Sequence, residues 1–447
     1  MKYKINLSQC MIVKNEEKNI RKALTWGKSI VCEQIVVDTG STDRTVEIAE
    51  EMGAKVFHFE WIDDFSAAKN FAIDQASGNW IAFLDADEYF SEEDAQKIIP
   101  LLKYLQKDGK YSAMPAIIRS SLVNLNDEGK PGSFATQDRI FSNNPALRYQ
   151  NRIHETLQAS AGKKHVVFDA TDRLTVFHTG YTKSVFEETH KMDRNIALLK
   201  REVKDNPENY NAWAYLGDAL FGNEQYEDAE NAYNRVIENI KNVFSQERKD
   251  LIFSNLLKMK FLRRIDNEAL IMKAYNQSVE CNCSTPDIEY WVGSWMLNHG
   301  KEQKGIEYFE LALNKLEQYQ GHGVLDVAAE LPYIYQTLFE FYYKSINHAA
   351  EAVRYGVLYL RVKPYGESVL KGLLQLLGNG ARDEKTTEAI LGFLFKLYDF
   401  TKAKDKLFLI RVSNKLFYHA LEQKVYDLLS EEEKAFFNQN KQSVYQN

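Results

Sequence analysis

Apolar residues come in short runs through the first quarter of the chain, each cut off by a polar cluster. The runs 9–14 (QCMIVK), 34–37 (QIVV), 55–59 (KVFHF) and 80–84 (WIAFL) have the length and composition of buried strands. Between them the period lengthens to that of helices, over about 19–29, 44–52 and 66–76, with Val46, Ile48, Ala49 and Met52 forming the apolar side of the second. Strand and helix alternating at this spacing predict βαβ units and a mainly parallel, doubly wound sheet. The polar clusters then share one edge of that sheet, where open α/β sheets bind their ligands.

Those clusters carry the candidate chemistry. Asp85 and Asp87 stand one residue apart where the WIAFL run ends. Hard carboxylate oxygens suit Mg²⁺ or Mn²⁺, which usually keeps phosphate oxygens in its remaining positions. A solvated acidic turn is the competing reading of the same residues. Asp38, directly at a strand end, is the better ligand candidate of its cluster, whereas Ser41, Thr42 and Asp43 suit a turn with a helix cap. Beyond Glu88 the pattern predicts an amphipathic helix over 92–106, a strand over 111–122, a turn-rich loop over 123–133 and a strand-like piece at 137–141. Two constellations follow, Arg152-Ile153-His154-Glu155 and Val176-Phe177-His178-Thr179-Gly180-Tyr181. Histidine is scarce, with nine in the chain. Two beside strand ends in this half are therefore site candidates, set against the plainer role of fixing loops.

Taken in order, MIVKNEE, IVVDTGSTDRT and WIDDFSAAKNFAIDQASGNWIAFLDADE resemble the family 2 glycosyltransferases of GT-A fold over about residues 8–90. That resemblance implies a nucleotide-sugar donor, most often UDP-linked, and a divalent metal, Mg²⁺ or Mn²⁺. It implies that Asp38 hydrogen-bonds the base and that the backbone about Val13 lines the base pocket. Lys69 and Asn70 would lie against the nucleotide or its phosphates. Asp85 would hold the ribose or the metal's water shell, and Asp87 the ion itself. Lys69 stands where many relatives carry arginine, which keeps the charge but loses the bidentate geometry. The two histidine segments narrow the resemblance to members with a helical repeat tail, among them the bacterial peptide S-glycosyltransferases that decorate glycocins. An inverting transfer needs a base for the acceptor proton. Glu155 or His154 fills that role, and His178 either completes the metal's coordination or donates to a phosphate oxygen.

From about residue 184 the period is helical throughout. A linking helix over 184–204 ends at Asp205-Asn206-Pro207. Trp213, Leu216, Gly217, Leu220, Tyr226, Ala229, Tyr233 and Val236 then recur at tetratricopeptide positions, the small residues letting helices approach and the large ones filling the gap. Gly293, Phe309 and Ala312 make a weaker copy, and Ala352 with Pro364 hints at a third. The expected organisation is a GT-A domain over 1–183 followed by an all-α tetratricopeptide-like domain over 184–447. A net charge of −7 offers no basic face for nucleic acid. No apolar run has the length of a membrane span, and MKYKINLSQC lacks a signal peptide's apolar core, so the expected location is cytoplasmic. Cys10, Cys32, Cys281 and Cys283 give no disulfide framework, and Cys281-Asn282-Cys283 has no partnering pair at zinc spacing. The expected function is inverting sugar transfer from a UDP-sugar to a peptide or protein, cysteine thiols included, with a homodimer through the repeats as a further partnership. The alternatives are transfer to a cell-surface polysaccharide or lipid-linked glycan, and a catalytically silent repeat scaffold.

Overall fold

Strands form where the apolar runs predict them. β1 (Leu7–Val13), β2 (Glu33–Asp38), β3 (Lys55–His58) and β4 (Trp80–Phe83) pair in parallel in the order β3-β2-β1-β4. The crossovers between them are α1 (Ile20–Thr25), α2 (Thr45–Glu51) and α3 (Phe65–Asp74). α3 begins where Asp64 accepts the Ala67 amide at 2.9 Å. That bond satisfies one of the amides the first helical turn leaves without a partner. The computed structural model describes residues 4–160, 162–179, 191–243, 245–321, 324–378 and 382–446. Gly180, Tyr181 and the expected start of the linking helix at 184 lie outside the described residues.

The parallel order changes at β4. Next along the chain come β5 (Glu88–Phe90), α4 (Glu92–Lys107), α5 (Gly109–Ala113), β6 (Ala116–Leu125) and β7 (Pro131–Ser142). They are followed by β8 (Leu147–Gln150), β9 (Thr156–Ala159), β10 (Val166–Asp169) and β11 (Thr175–His178). β7 inserts antiparallel between β4 and β6, while β10 and β11 pair in parallel with β6. β5 closes the sheet antiparallel to β11, and β8 and β9 form a separate hairpin. The sheet is therefore mixed, with the expected parallel half continued by an antiparallel insertion.

Two expectations shift here. The strand expected over 111–122 begins only at Ala116, because Asp108 accepts the Lys110 amide at 2.8 Å and starts the short helix α5. The loop expected over 123–133 contracts to a turn at 126–130, where Asn126 Oδ1 accepts the Glu128 and Lys130 amides and Gly129 takes φ +72°. Asn, Asp and Gly supply turn geometry whether the turn is long or short, so composition alone overstated the loop.

Alternate residues of β4 serve opposite faces of the sheet. On one side Ile98, Leu102 and Leu105 of α4 pack in a core with Trp80, Ala82 and Leu84. On the other, Ala72 and Ile73 of α3 join Tyr149 and Leu157 of the hairpin against Ile81 and Phe83. The β8–β9 hairpin is thus anchored beside α3, and its turn is carried to the edge where β1, β2 and β4 end.

Three helices, α6 (Lys191–Asp205), α7 (Tyr210–Gly222) and α8 (Tyr226–Ile237), fall with the sheet in one compact unit, Met1–Phe244. The second unit, Ser245–Asn447, is helical among the described residues. In the first unit Gly217 faces Tyr233 as the repeat pattern predicts. In the second, helix Asp287–Asn298 meets helix Glu302–Gln318 where Gly293 faces Phe309. Ala352 is buried in helix Ala349–Val362, and Pro364 follows that helix's end. Among the described residues no helix is long and apolar enough to cross a membrane.

A methyl group at Gly217 would lie 2.5 Å from Tyr233 Cε1. Tyr233 has no exposed surface, and its hydroxyl donates to Asp218 Oδ1 at 2.8 Å, so the ring has nowhere to swing. Gly217→Ala should therefore lower stability by about 1–3 kcal/mol in urea denaturation. An unchanged midpoint would mean the two helices part freely.

Candidate active site

The ends of β1 and β2 are fastened together before any ligand is considered. Val13 O accepts both the amide and the hydroxyl of Thr39, each at 3.0 Å. The Asn15 amide donates to Ser41 Oγ at 2.9 Å, Asn15 Oδ1 accepts the Thr42 amide at 2.8 Å, and the Glu17 amide donates to Asp43 at 3.1 Å. Ser41, Thr42 and Asp43 thus serve the turns. Asp38 is buried, and its oxygens accept the Gly40 and Ser41 amides at 3.2 and 3.0 Å, with His58 Nδ1 3.4 Å away.

Beside these loops lies a cavity of about 460 Å³ whose lining includes Val13, Thr39, Lys69, Asp85, Asp87, His154, Glu155 and His178. Of the candidates, Asp38 and Asn70 do not line it. Asn70 instead bonds both backbone groups of Tyr149, donating to its carbonyl and accepting its amide at 2.9 Å each. That clamps the β8–β9 hairpin to α3.

Charge organises the floor of the cavity. Lys69 is 2% exposed, with Nζ 3.2 Å from Asp85 Oδ1 and 2.6 Å from Glu155 Oε1. Burial works against its charge, but Asp85 and Glu155 outweigh it and hold the ammonium's pKa above the ordinary lysine value. Arg139 joins the same group from β7, its Nη2 lying 2.9 Å from Asp85 Oδ2 and 2.5 Å from Glu88 Oε1. For Asp85 too, burial opposes ionisation, and Lys69 with Arg139 overrides it, holding the carboxyl well below the usual range. Glu88, buried more deeply, is pushed up by that burial despite Arg139.

A second cluster joins β11 to the loop after β4. His178 Nδ1 lies 2.7 Å from Asn124 Oδ1, and Asn124 Nδ2 donates to Ser133 Oγ at 2.9 Å, which orients the amide. The Nδ1 proton is therefore engaged, and Nε2 faces Asp87 Oδ2 at 3.3 Å. Burial lowers the ring's pKa and the Asp87 hydrogen bond raises it, with the balance upward. The Asp87 carbonyl accepts the Thr179 amide at 3.0 Å, fixing the backbone beneath.

His154 and Glu155 sit on the turn of the β8–β9 hairpin. The Phe65 amide donates to Arg152 O at 2.8 Å, and Ser66 Oγ donates to Asn151 O at 2.5 Å, so the first turn of α3 carries this turn. From the other side Arg152 pairs with Asp205 of α6 at 3.0 Å. His154 takes φ +52° and stacks on Tyr215 of α7, ring centres 3.9 Å apart and planes within 10°. Sequence reading passed over Arg139, Asn124, Tyr215 and Arg194, although all but Asn124 and Tyr215 line the cavity. Arg139 carried the one available signal, an arginine directly before the apolar pair Ile140-Phe141 of its strand.

Removing Lys69 would leave Asp85 and Glu155 without their shared counter-charge. Lys69→Met should cost about 2–3 kcal/mol near neutral pH, a figure discounted because Asp85 keeps some water. Asp85's lowered pKa gives stability that is present above the unfolded value of about 4 and lost as pH falls toward the folded one. Lys69's raised pKa gives stability present below about 10 and lost as pH rises through the folded value. The difference between variant and parent should thus be flat from about pH 5 to 9 and shrink in acid. Urea titrations across that range measure it, and a penalty that grew in acid would contradict the charge assignment.

Residues 8–202 match the model of glycosyl transferase family 2. A TPR repeat-containing protein of Synechococcus elongatus is 32% identical over 221 residues, 48% of this chain and 51% of that protein. The SPbeta prophage-derived glycosyltransferase SunS of Bacillus subtilis is 28% identical over 240 residues, 53% of this chain and 54% of that one. The chain thus spans about half the length of these curated relatives. Among solved structures, S. aureus TarS 1–349 in complex with UDP-GlcNAc aligns with 66% of this chain and 92% of that chain, at 14% identity and a TM-score of 0.37. The family match thus falls on the mixed α/β sheet and the helix that follows it, residues 8–202 resembling glycosyl transferase family 2.

Proposed function

We propose that this domain transfers a sugar, with inversion, from a UDP-sugar to a peptide or protein acceptor, aided by a divalent cation. The observation that carries the reading is one cavity lined by both the Asp87–His178 pair and the Lys69-bound carboxylate of Glu155. The peptide acceptor is drawn from the resemblance to peptide S-glycosyltransferases with repeat tails, and the similarity to the glycosyltransferase SunS over 53% of this chain supports sugar transfer.

Asp87 and His178 Nε2 suit a hard divalent ion, and a histidine whose far nitrogen is tied to an acceptor is the usual form of a metal ligand. Among the described residues no three His, Cys, Asp or Glu side chains gather into a complete metal site. Asp87 and His178 leave positions that phosphate oxygens and water would fill, as they commonly do on Mg²⁺. When bound, Mg²⁺ or Mn²⁺ supplies positive charge to the departing diphosphate.

The remaining roles fall to the chain itself. Val13 and Thr39 wall the base pocket, and Asp38 acts by holding the 39–41 turn in shape. Asp85 keeps 39% of its side chain exposed, enough to reach the ribose or the ion's water shell while Lys69 and Arg139 fix it. In the transfer step the acceptor's oxygen or sulfur attacks the anomeric carbon. The bond from that carbon to the diphosphate oxygen breaks, its electron pair leaves with UDP, and the acceptor proton passes to Glu155. Lys69, 2.6 Å from Glu155 Oε1, holds that carboxylate in place. His154, fixed by Tyr215 on the same turn, is the base in its place if Glu155 only positions.

Mass spectrometry of candidate peptides incubated with several UDP-sugars tests the reading, and hydrolysis of none of them together with no adduct would end it. Glu155→Gln keeps the shape and should leave UDP binding intact while transfer falls roughly 10²–10⁴-fold. Transfer that persists there and collapses in His154→Ala exchanges the two roles. Asp87→Ala should abolish transfer with the fold retained, and full activity in excess chelator would refute the metal.

A further inference from the structure

Four cationic side chains line the cavity: Lys14, Lys69, Arg139 and Arg194. Lys69 and Arg139 are already held between carboxylates. Arg194, in the first turn of α6, lies with its guanidinium 5.3 Å from the centre of the Phe65 ring, and its Nη2 donates to the neighbouring Asn195 Oδ1 at 3.3 Å. No carboxylate pairs with it among the described residues. The lining meanwhile carries Glu16, Asp85, Asp87 and Glu155. With four carboxylates against four cations the lining has no surplus positive charge, so a diphosphate needs a cation not already neutralised, and Arg194's planar fork matches phosphate oxygens in pairs where Lys14 offers a point charge.

We propose that Arg194 binds the donor's diphosphate, so that α6, outside the sheet, is a working wall of the donor site. This rests on the nucleotide-sugar reading above. The fold holds the arginine where it is needed. Arg201, two turns further along α6, pairs with Asp63 at 3.2 Å, and Asp205 at the end of the helix pairs with Arg152 at 3.0 Å. Phe65, on which Arg194 rests, packs edge-on against Trp61 at 4.8 Å. The aromatic WIDDF stretch before α3 thereby has a task, as the platform and tether of the helix that carries Arg194.

The test uses the full chain with UDP and uridine as probes, titrated by calorimetry in the presence of Mn²⁺. Arg194→Ala should weaken UDP roughly tenfold or more and leave uridine unchanged, since only the phosphates lose a partner. Arg194→Lys should recover part of the loss, because it restores the charge without the fork. Lys200→Ala, which removes an exposed cation from the same helix, should leave UDP affinity unchanged. Equal UDP affinity in the parent and in Arg194→Ala overturns the proposal. So does a parallel loss of uridine, which would point to a damaged base pocket. A parent chain that binds neither probe removes the donor reading itself, and the proposal with it.

Discussion

An ammonium group with almost no water around it must find carboxylates or give up its charge, and this requirement fixes the cavity. Lys69 projects from α3, Asp85 from the loop after β4, and Glu155 from the hairpin turn, three segments far apart in the chain. Arg139 adds β7 by bridging Asp85 to Glu88. None of these side chains can move alone without stranding a charge. Ion clusters of this depth are seldom the most stable filling of a protein interior, since apolar residues of similar volume often do as well or better. What they secure is position, and here the positions secured are those of two carboxylates facing one cavity.

The parts legible in the sequence are those governed by local period. The four parallel strands follow from runs of apolar residues, and the clusters at their ends follow from strand geometry. Strand ends and resemblance pointed to Asp85, Asp87, Lys69 and Glu155, and the four line one cavity. Asp38 and Asn70 were singled out for the same reason, and both bond backbone: Asp38 accepts the Gly40 and Ser41 amides, and Asn70 bonds both backbone groups of Tyr149. A polar residue beside a site looks the same in sequence whether it meets a ligand or an amide. Asn124, Arg139 and Tyr215 escaped notice because each earns its place through a partner 51 to 61 positions away: His178 by 54, Glu88 by 51, His154 by the stack between hairpin turn and helix.

The helical segment shows a similar division. Small-against-large pairing is a local rule, so Gly217 and Tyr233 could be matched from spacing, and their close approach follows. The extent of the first compact unit obeys a different rule. The period turns helical after β11, yet α6 to α8 group with the sheet, because Arg152 reaches Asp205, His154 stacks on Tyr215 and Asp63 holds Arg201. Secondary-structure class changes where the backbone pattern changes. A packing unit ends where cross-contacts end, and those are written in side chains scattered over both halves.

The same contacts hold the turn that carries His154 and Glu155. His154 takes a left-handed backbone conformation, uncommon for a residue with a side chain, and such a conformation persists only where surroundings over-determine it. The surroundings here are α3 on one side of the turn and α6 with α7 on the other. A sheet domain cut before α6 would keep the strand ends and the carboxylates but free the turn on which His154 and Glu155 ride. The first helices brace that turn, and the tetratricopeptide pattern in them describes how α7 and α8 pack on each other.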